Sequence, residues 1–118
     1  MCSSDLGSVK ALIDFVKDDK IVSIQILETF INETAESTNK LEIAFKDYDL
    51  IMASKISHKV LPMIKMIGND RVVDLMVLVE DKELISNEDK EYLLKSIKHF
   101  IKDAERLKQD LSEEADDK

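Results

Sequence analysis

The chain has 118 residues, enough for one domain around a single small core. Apolar residues make up 44% and charged residues 36%, with two glycines, one proline and no tryptophan, a balance that favours packed helices over a sheet protein with many tight turns. A net charge of −8 excludes a protein that coats nucleic acid, because such binding needs a basic face against the phosphates.

The first predicted helix covers about residues 5–17, with Leu6, Val9, Ile13 and Val16 on one stripe and Ser3, Ser4 or Asp5 as caps. It is short and reads as a lid on something larger. After a turn at Asp18 and Asp19, the positions Ile24, Leu27, Ile31, Thr34, Thr38, Leu41 and Phe45 alternate steps of three and four, the seam of a long helix. A third helix is expected over about 49–67, stopped by Gly68. Asn69 or Asp70 caps a fourth, apolar nearly all round through Val72, Val73, Leu75, Met76, Leu78 and Val79, and therefore expected to be the most buried.

Ser86 caps the fifth helix, whose seam is Leu93, Ile97, Phe100, Ala104, Leu107 and Leu111. The acidic tail, about 112–118, is expected to be frayed. Links of a few residues make consecutive long helices antiparallel neighbours. The expected fold is all-α: an antiparallel up-down four-helix bundle with a short extra N-terminal helix, in one domain spanning 1–118.

The longest apolar run, VVDLMVLV at 72–79, falls far short of the roughly 20 residues of a membrane helix, and MCSSDLGSVK lacks the apolar segment of a signal peptide. The lone Cys2 has no internal disulfide partner. A cytoplasmic protein without membrane contact is expected.

The stretch SKISHKVLPMIKMIG, residues 54–68, carries the chemistry. At 100° per residue, Ala53, Ile56, Val60, Met63, Ile64 and Ile67 share one arc, which must face the core. His58 falls on the opposite side, so the usual reading of a histidine satisfied in the core is disfavoured. Around it lie Ile51, Ser54, Lys55, Leu61, Pro62 and Lys65, with Lys59 further round. Apolar groups beside lysines are unusual on a purely solvated face. The window 51–71 holds Lys55, Lys59, Lys65 and Arg71 against Asp70 alone, a basic island on an acidic chain that suits phosphate or an acidic partner pocket. Pro62 removes the bond to the carbonyl of His58, and since the core stripe continues beyond it, a kinked helix is expected.

The segment resembles the histidine-containing phosphotransfer domains of multistep two-component signalling. Their signature runs His, any residue, an apolar residue, Lys, Gly, five residues and a second Gly; His58, Val60 and Gly68 match, with Lys59 at the open position. The resemblance extends to the short first helix, a Phe in LETFINET, and an apolar helix ending in Glu after the second Gly. Leu61 and Pro62 replace the signature's Lys and Gly, as in a branch often attached to hybrid sensor kinases.

The resemblance implies a phosphorelay carrier in which His58 accepts a phosphoryl group from a receiver-domain aspartyl phosphate and passes it to another receiver. Lys65, Lys55 and Lys59 would lie near the phosphoryl group, Ile51, Ser54, Leu61 and Pro62 would dock the partner, and Gly68 would be structural. The partners would be response-regulator receiver domains and a hybrid sensor histidine kinase, engaged by a monomer. The chain would need no cofactor of its own, the receiver supplying Mg²⁺. No Asp or Glu is expected on the face of His58, where a carboxylate that activated water would waste the phosphoryl group.

Other sites are weaker. His99 and Asp103, four apart, suit a helix-flank ion pair better than a metal. The run DKELISNEDKEY lacks the Gly of a calcium loop and has Ile85 where a ligand should stand. Met63, Met66 and Met76 read as core or near-core packing. Two rival functions remain. A kinase dimerisation and phosphoacceptor module usually has an acidic residue after its His and Pro five places on, whereas Lys59 and Pro62 stand here, and no nucleotide-binding region accompanies them. A non-catalytic helical adaptor would bind its partner through Ile51, Leu61 and Pro62.

Overall fold

The computed structural model describes residues 9–16 and 19–116, with side chains through Glu113. Four α-helices, and no strand, form among the described residues: α1 (Lys20–Lys46), α2 (Leu50–Ile67), α3 (Asp70–Glu80) and α4 (Asn87–Asp116).

Each start is fixed by a short polar side chain that satisfies an otherwise orphaned backbone donor. Asp19 Oδ1 accepts from the N–H of Val22 at 3.0 Å, and Asp49 Oδ1 from that of Met52 at 3.0 Å. Asn69 Oδ1 accepts from Val72 at 3.1 Å, which decides between the two cap candidates of α3, and Ser86 Oγ accepts from Asp89 at 3.0 Å. Gly68 ends α2 at φ 91°, its N–H bonded to the Ile64 carbonyl at 3.2 Å. Nothing lies within 4 Å of where its Cβ would stand, so glycine is needed there for the left-handed backbone and not for space.

Helix α1 packs against α2 and α4, α2 against α3, and α3 against α4. Between them lies a continuous core that includes Leu27, Phe30, Leu41, Ile64, Val72, Met76, Leu93 and Ile97. Several expectations are corrected. The N-terminal segment is two 3₁₀ turns, Val9–Leu12 and Asp14–Val16, instead of one α-helix; residues 5–8 and 17 of the expected helix lie outside those described. Val9, Leu12 and Ile13 are nonetheless buried, and the first turn sits against α2 and α4. Helix α3 is not apolar all round in effect: Val72, Leu75, Met76 and Val79 are buried, but Leu78 is exposed. Leu78 falls on the side of α3 turned away from that core. Helix α4 runs through Asp116, taking in part of the tail expected to be frayed.

No helix among the described residues is long and apolar enough to cross a membrane.

Candidate functional site

The middle of α2 is pinned to α3 by two adjacent turns. Ser57, fully buried, donates its hydroxyl to the Met76 carbonyl at 2.5 Å, and Ser54 donates to the Glu80 carbonyl at 2.6 Å. These bonds set the rotation of α2 about its axis, so the next residue, His58, is carried outward with its side chain 80% exposed.

The imidazole is held from one side. Glu80, the last residue of α3, places Oε2 at 2.5 Å from His58 Nδ1, while Nε2 has no partner among the described residues. This corrects the expectation that no carboxylate would share the histidine's surroundings. Glu80 is not on the histidine's own helix face; it comes from the neighbouring helix, which helical-wheel arithmetic on α2 does not contain. A carboxylate on Nδ1 favours the tautomer with its proton there and leaves Nε2 as the lone-pair nitrogen.

Lys55, Lys59 and Lys65 are all exposed and form no ion pair among the described residues. Arg71 leaves the basic island: it pairs with Asp89 at 3.2 Å and its guanidinium lies 4.4 Å from the centre of the Tyr92 ring. Of the expected docking residues, Ile51 is 60% exposed and Pro62 is exposed. Leu61 is buried, at 6% exposure. It sits at the edge of the core arc on the side where α3 packs, and that helix widens the buried stripe beyond what α2 alone predicts. Ser54 is half-buried with its hydroxyl committed to α3, so it serves to hold the helix in place. Helix α2 continues through Pro62 without a break; the carbonyl of His58 that loses its partner lies on a face open to solvent.

Elsewhere, His99 Nε2 and Asp103 Oδ2 stand 3.5 Å apart on one face of α4. Among the described residues no three His, Cys, Asp or Glu side chains gather as metal ligands would. Met76 is core and Met63 half-buried against it, while Met66 is 47% exposed, outside the packing expected of it.

No family model, curated protein or solved structure matches this chain.

Proposed function

We propose that the chain is a phosphorelay carrier whose phosphoacceptor is His58. The observation that carries this is the imidazole's setting: outward on a helix pinned by Ser54 and Ser57, bonded through Nδ1 to Glu80, with Nε2 open and three lysines on the same stretch of helix that form no ion pair, both among the described residues. The resemblance of His58, Val60 and Gly68 to the phosphotransfer signature supports it. So do the contacts between helices. Glu28 meets Lys108 while Glu42 meets Lys98, and Ser54 meets Glu80 while Ser57 meets Met76; in each pair the numbering rises on one helix as it falls on the other, as in an up-down bundle.

In the transfer step the Nε2 lone pair attacks phosphorus and the bond from phosphorus to the donor aspartate's oxygen breaks, its electron pair leaving with the carboxylate. The Nδ1 proton stays in its bond to Glu80, whose negative charge offsets the positive charge developing on the ring. Because Glu80 engages Nδ1, its carboxylate is directed to the far side of the ring from the phosphoryl group and is not placed to activate water against it. Lys55, Lys59 and Lys65 offer charge to the phosphoryl oxygens and to an acidic partner pocket, speeding encounter. Mg²⁺ in the receiver would supply the remaining charge stabilisation. The reverse step, onto a second receiver, uses the same groups.

The exposed Ile51 keeps a second reading in play, an adaptor that binds a partner by this face without chemistry. Incubation with phosphorylated receiver domains separates the two. Acid-labile, base-stable label on the native chain and none on His58→Gln is the carrier's result; a His58→Gln chain that still binds and functions is the adaptor's.

A further inference from the structure

Exposed apolar side chains gather at one end of the molecule, where the α1–α2 and α3–α4 turns meet. Tyr48 and Leu84 are each 75% exposed, and with Leu50 they line one cleft between the turns. Ile51 stands next to Leu50, seven residues before His58, or about two helical turns and ~10 Å along α2. Glu80 closes the circuit: it touches His58 and leads directly into the turn that carries Leu84. The apolar end and the histidine are thus linked along α2 through Ile51 and along α3 through Glu80.

The backbone at this end is unusual. Helix α1 finishes with the Asp49 N–H bonded to the Ala44 carbonyl at 2.8 Å and Tyr48 to Phe45 at 3.3 Å; α3 finishes the same way, Glu83 to Leu78 at 2.9 Å and Lys82 to Val79 at 3.0 Å. Such endings place one residue in the left-handed region, where glycine is the usual occupant. Here Tyr48 (φ 54°) and Lys82 (φ 63°) occupy it, the two non-glycine residues with positive φ among those described. Tyr48 thus holds a strained backbone while its ring stays in solvent, with the Lys90 ammonium 5.1 Å from the ring centre. Neither relaxed geometry nor burial accounts for an aromatic residue there.

Charge gives the surface a direction. The stretch around His58 presents Lys55, Lys59 and Lys65, whereas the turns, residues 47–49 and 81–84, hold Asp47, Asp49, Asp81 and Glu83 against Lys82, with Lys90 over the Tyr48 ring as the one cation among the described residues that line the cleft.

We propose that this end of the molecule, anchored by Tyr48 and Leu84, is a second docking contact for the protein that exchanges a phosphoryl group with His58, which rests on the carrier reading above. The partner it fits has an acidic pocket over His58, an apolar patch to one side, and cations beyond that patch facing the acidic turns. Two contacts of opposite charge fix the orientation of an otherwise small and transient interface.

The test compares Leu84→Asp, Tyr48→Gly and, as a control on α1, Ile21→Asp with the native chain. Phosphoramidate, a small donor that needs no docking, transfers its phosphoryl group to Nε2 with release of ammonia and reports His58 chemistry alone. A receiver domain phosphorylated on aspartate reports docking. The expected result is phosphoramidate labelling within twofold in all four chains, with the receiver's KM raised tenfold or more in Leu84→Asp and Tyr48→Gly at an unchanged maximal rate, and Ile21→Asp like native. A KM within twofold of native in both variants overturns the docking contact and leaves the carrier role intact. So does loss, in the variants, of a concentration-dependent dimer with KM unchanged, which would assign the patch to a second copy of the chain. Failure of His58 to take label from either donor overturns the carrier reading and this contact with it.

Discussion

Ser54 and Glu80 are joined through the serine hydroxyl and the glutamate's backbone oxygen at 2.6 Å, and the same glutamate's carboxylate meets His58 one helical turn further along α2. Backbone and side chain of a single residue at the end of α3 thus grip two successive turns of α2. The geometry ties the histidine's tautomer to helix packing, because a shift of α3 against α2 would move the Glu80 carboxylate away from Nδ1.

Removing the carboxylate should therefore alter the ring before it alters the fold. Glu80→Ala is expected to leave the melting temperature nearly unchanged, since Glu80 lies at a helix end with part of its side chain in solvent, and to lower phosphoryl transfer to His58 by about tenfold, or ~1.4 kcal/mol of barrier. Glu80→Gln, which keeps an acceptor for the Nδ1 proton but not the charge, should fall between. Nitrogen chemical shifts of His58 check the cause: the native ring should show the Nδ1–H form as the dominant neutral tautomer, and Glu80→Ala a mixture. Unchanged tautomer populations in Glu80→Ala would remove Glu80 from the mechanism.

Ser57 tests the other half of the grip. Its hydroxyl is buried and bonded to the Met76 carbonyl, so Ser57→Ala should cost about 1 kcal/mol by leaving that oxygen without its side-chain donor. The measurement is chemical denaturation of both proteins, expected to show a lower midpoint at unchanged slope. A midpoint equal to native would mean that the bond contributes nothing net to holding α2 on α3.

Much of this arrangement is legible in the sequence. The expected span of about 49–67, stopped by Gly68, matches α2 to within a residue, because a terminating glycine acts locally and its chemistry does not depend on what the helix packs against. The outward direction of His58 follows from the same periodicity. What one helix cannot reveal is the side on which its neighbour lies. Leu61, at the rim of the arc, is assigned to solvent on α2's pattern alone and is buried once α3 is in place. Glu80 is missed for the same reason: it lies 22 residues from His58 in sequence. The signal that could have found it is the Glu that ends the apolar run after Gly68, since a helix returning along α2 brings its last residue back toward the histidine.

At Gly68 the expectation concerns backbone alone. Its φ of 91° lies where a side chain is disfavoured, although no atom crowds the position. Gly68→Ala should cost about 1 kcal/mol, seen as a melting temperature lower by several degrees, with His58 chemistry retained at temperatures where the chain is folded. No change in melting temperature would mean that the turn relaxes to another conformation without penalty.

Leu61 distinguishes packing from docking most sharply. As a docking residue it would, on truncation, weaken the partner interaction and spare stability. As the structure places it, at 6% exposure among the core residues, Leu61→Ala removes buried methyl groups and leaves a cavity, at a cost of about 2–4 kcal/mol. Denaturation should show that loss directly, while the phosphoramidate labelling rate of His58, measured well below the lowered midpoint, should stay within a few-fold of native. Ile51→Ala should do the reverse: with Ile51 60% exposed, its stability should change by less than ~0.5 kcal/mol, and the KM for a phosphorylated receiver should rise. Equal stability of the Leu61→Ala and Ile51→Ala chains would contradict the burial of Leu61 against α3, and with it the rotation of α2 that carries His58 outward.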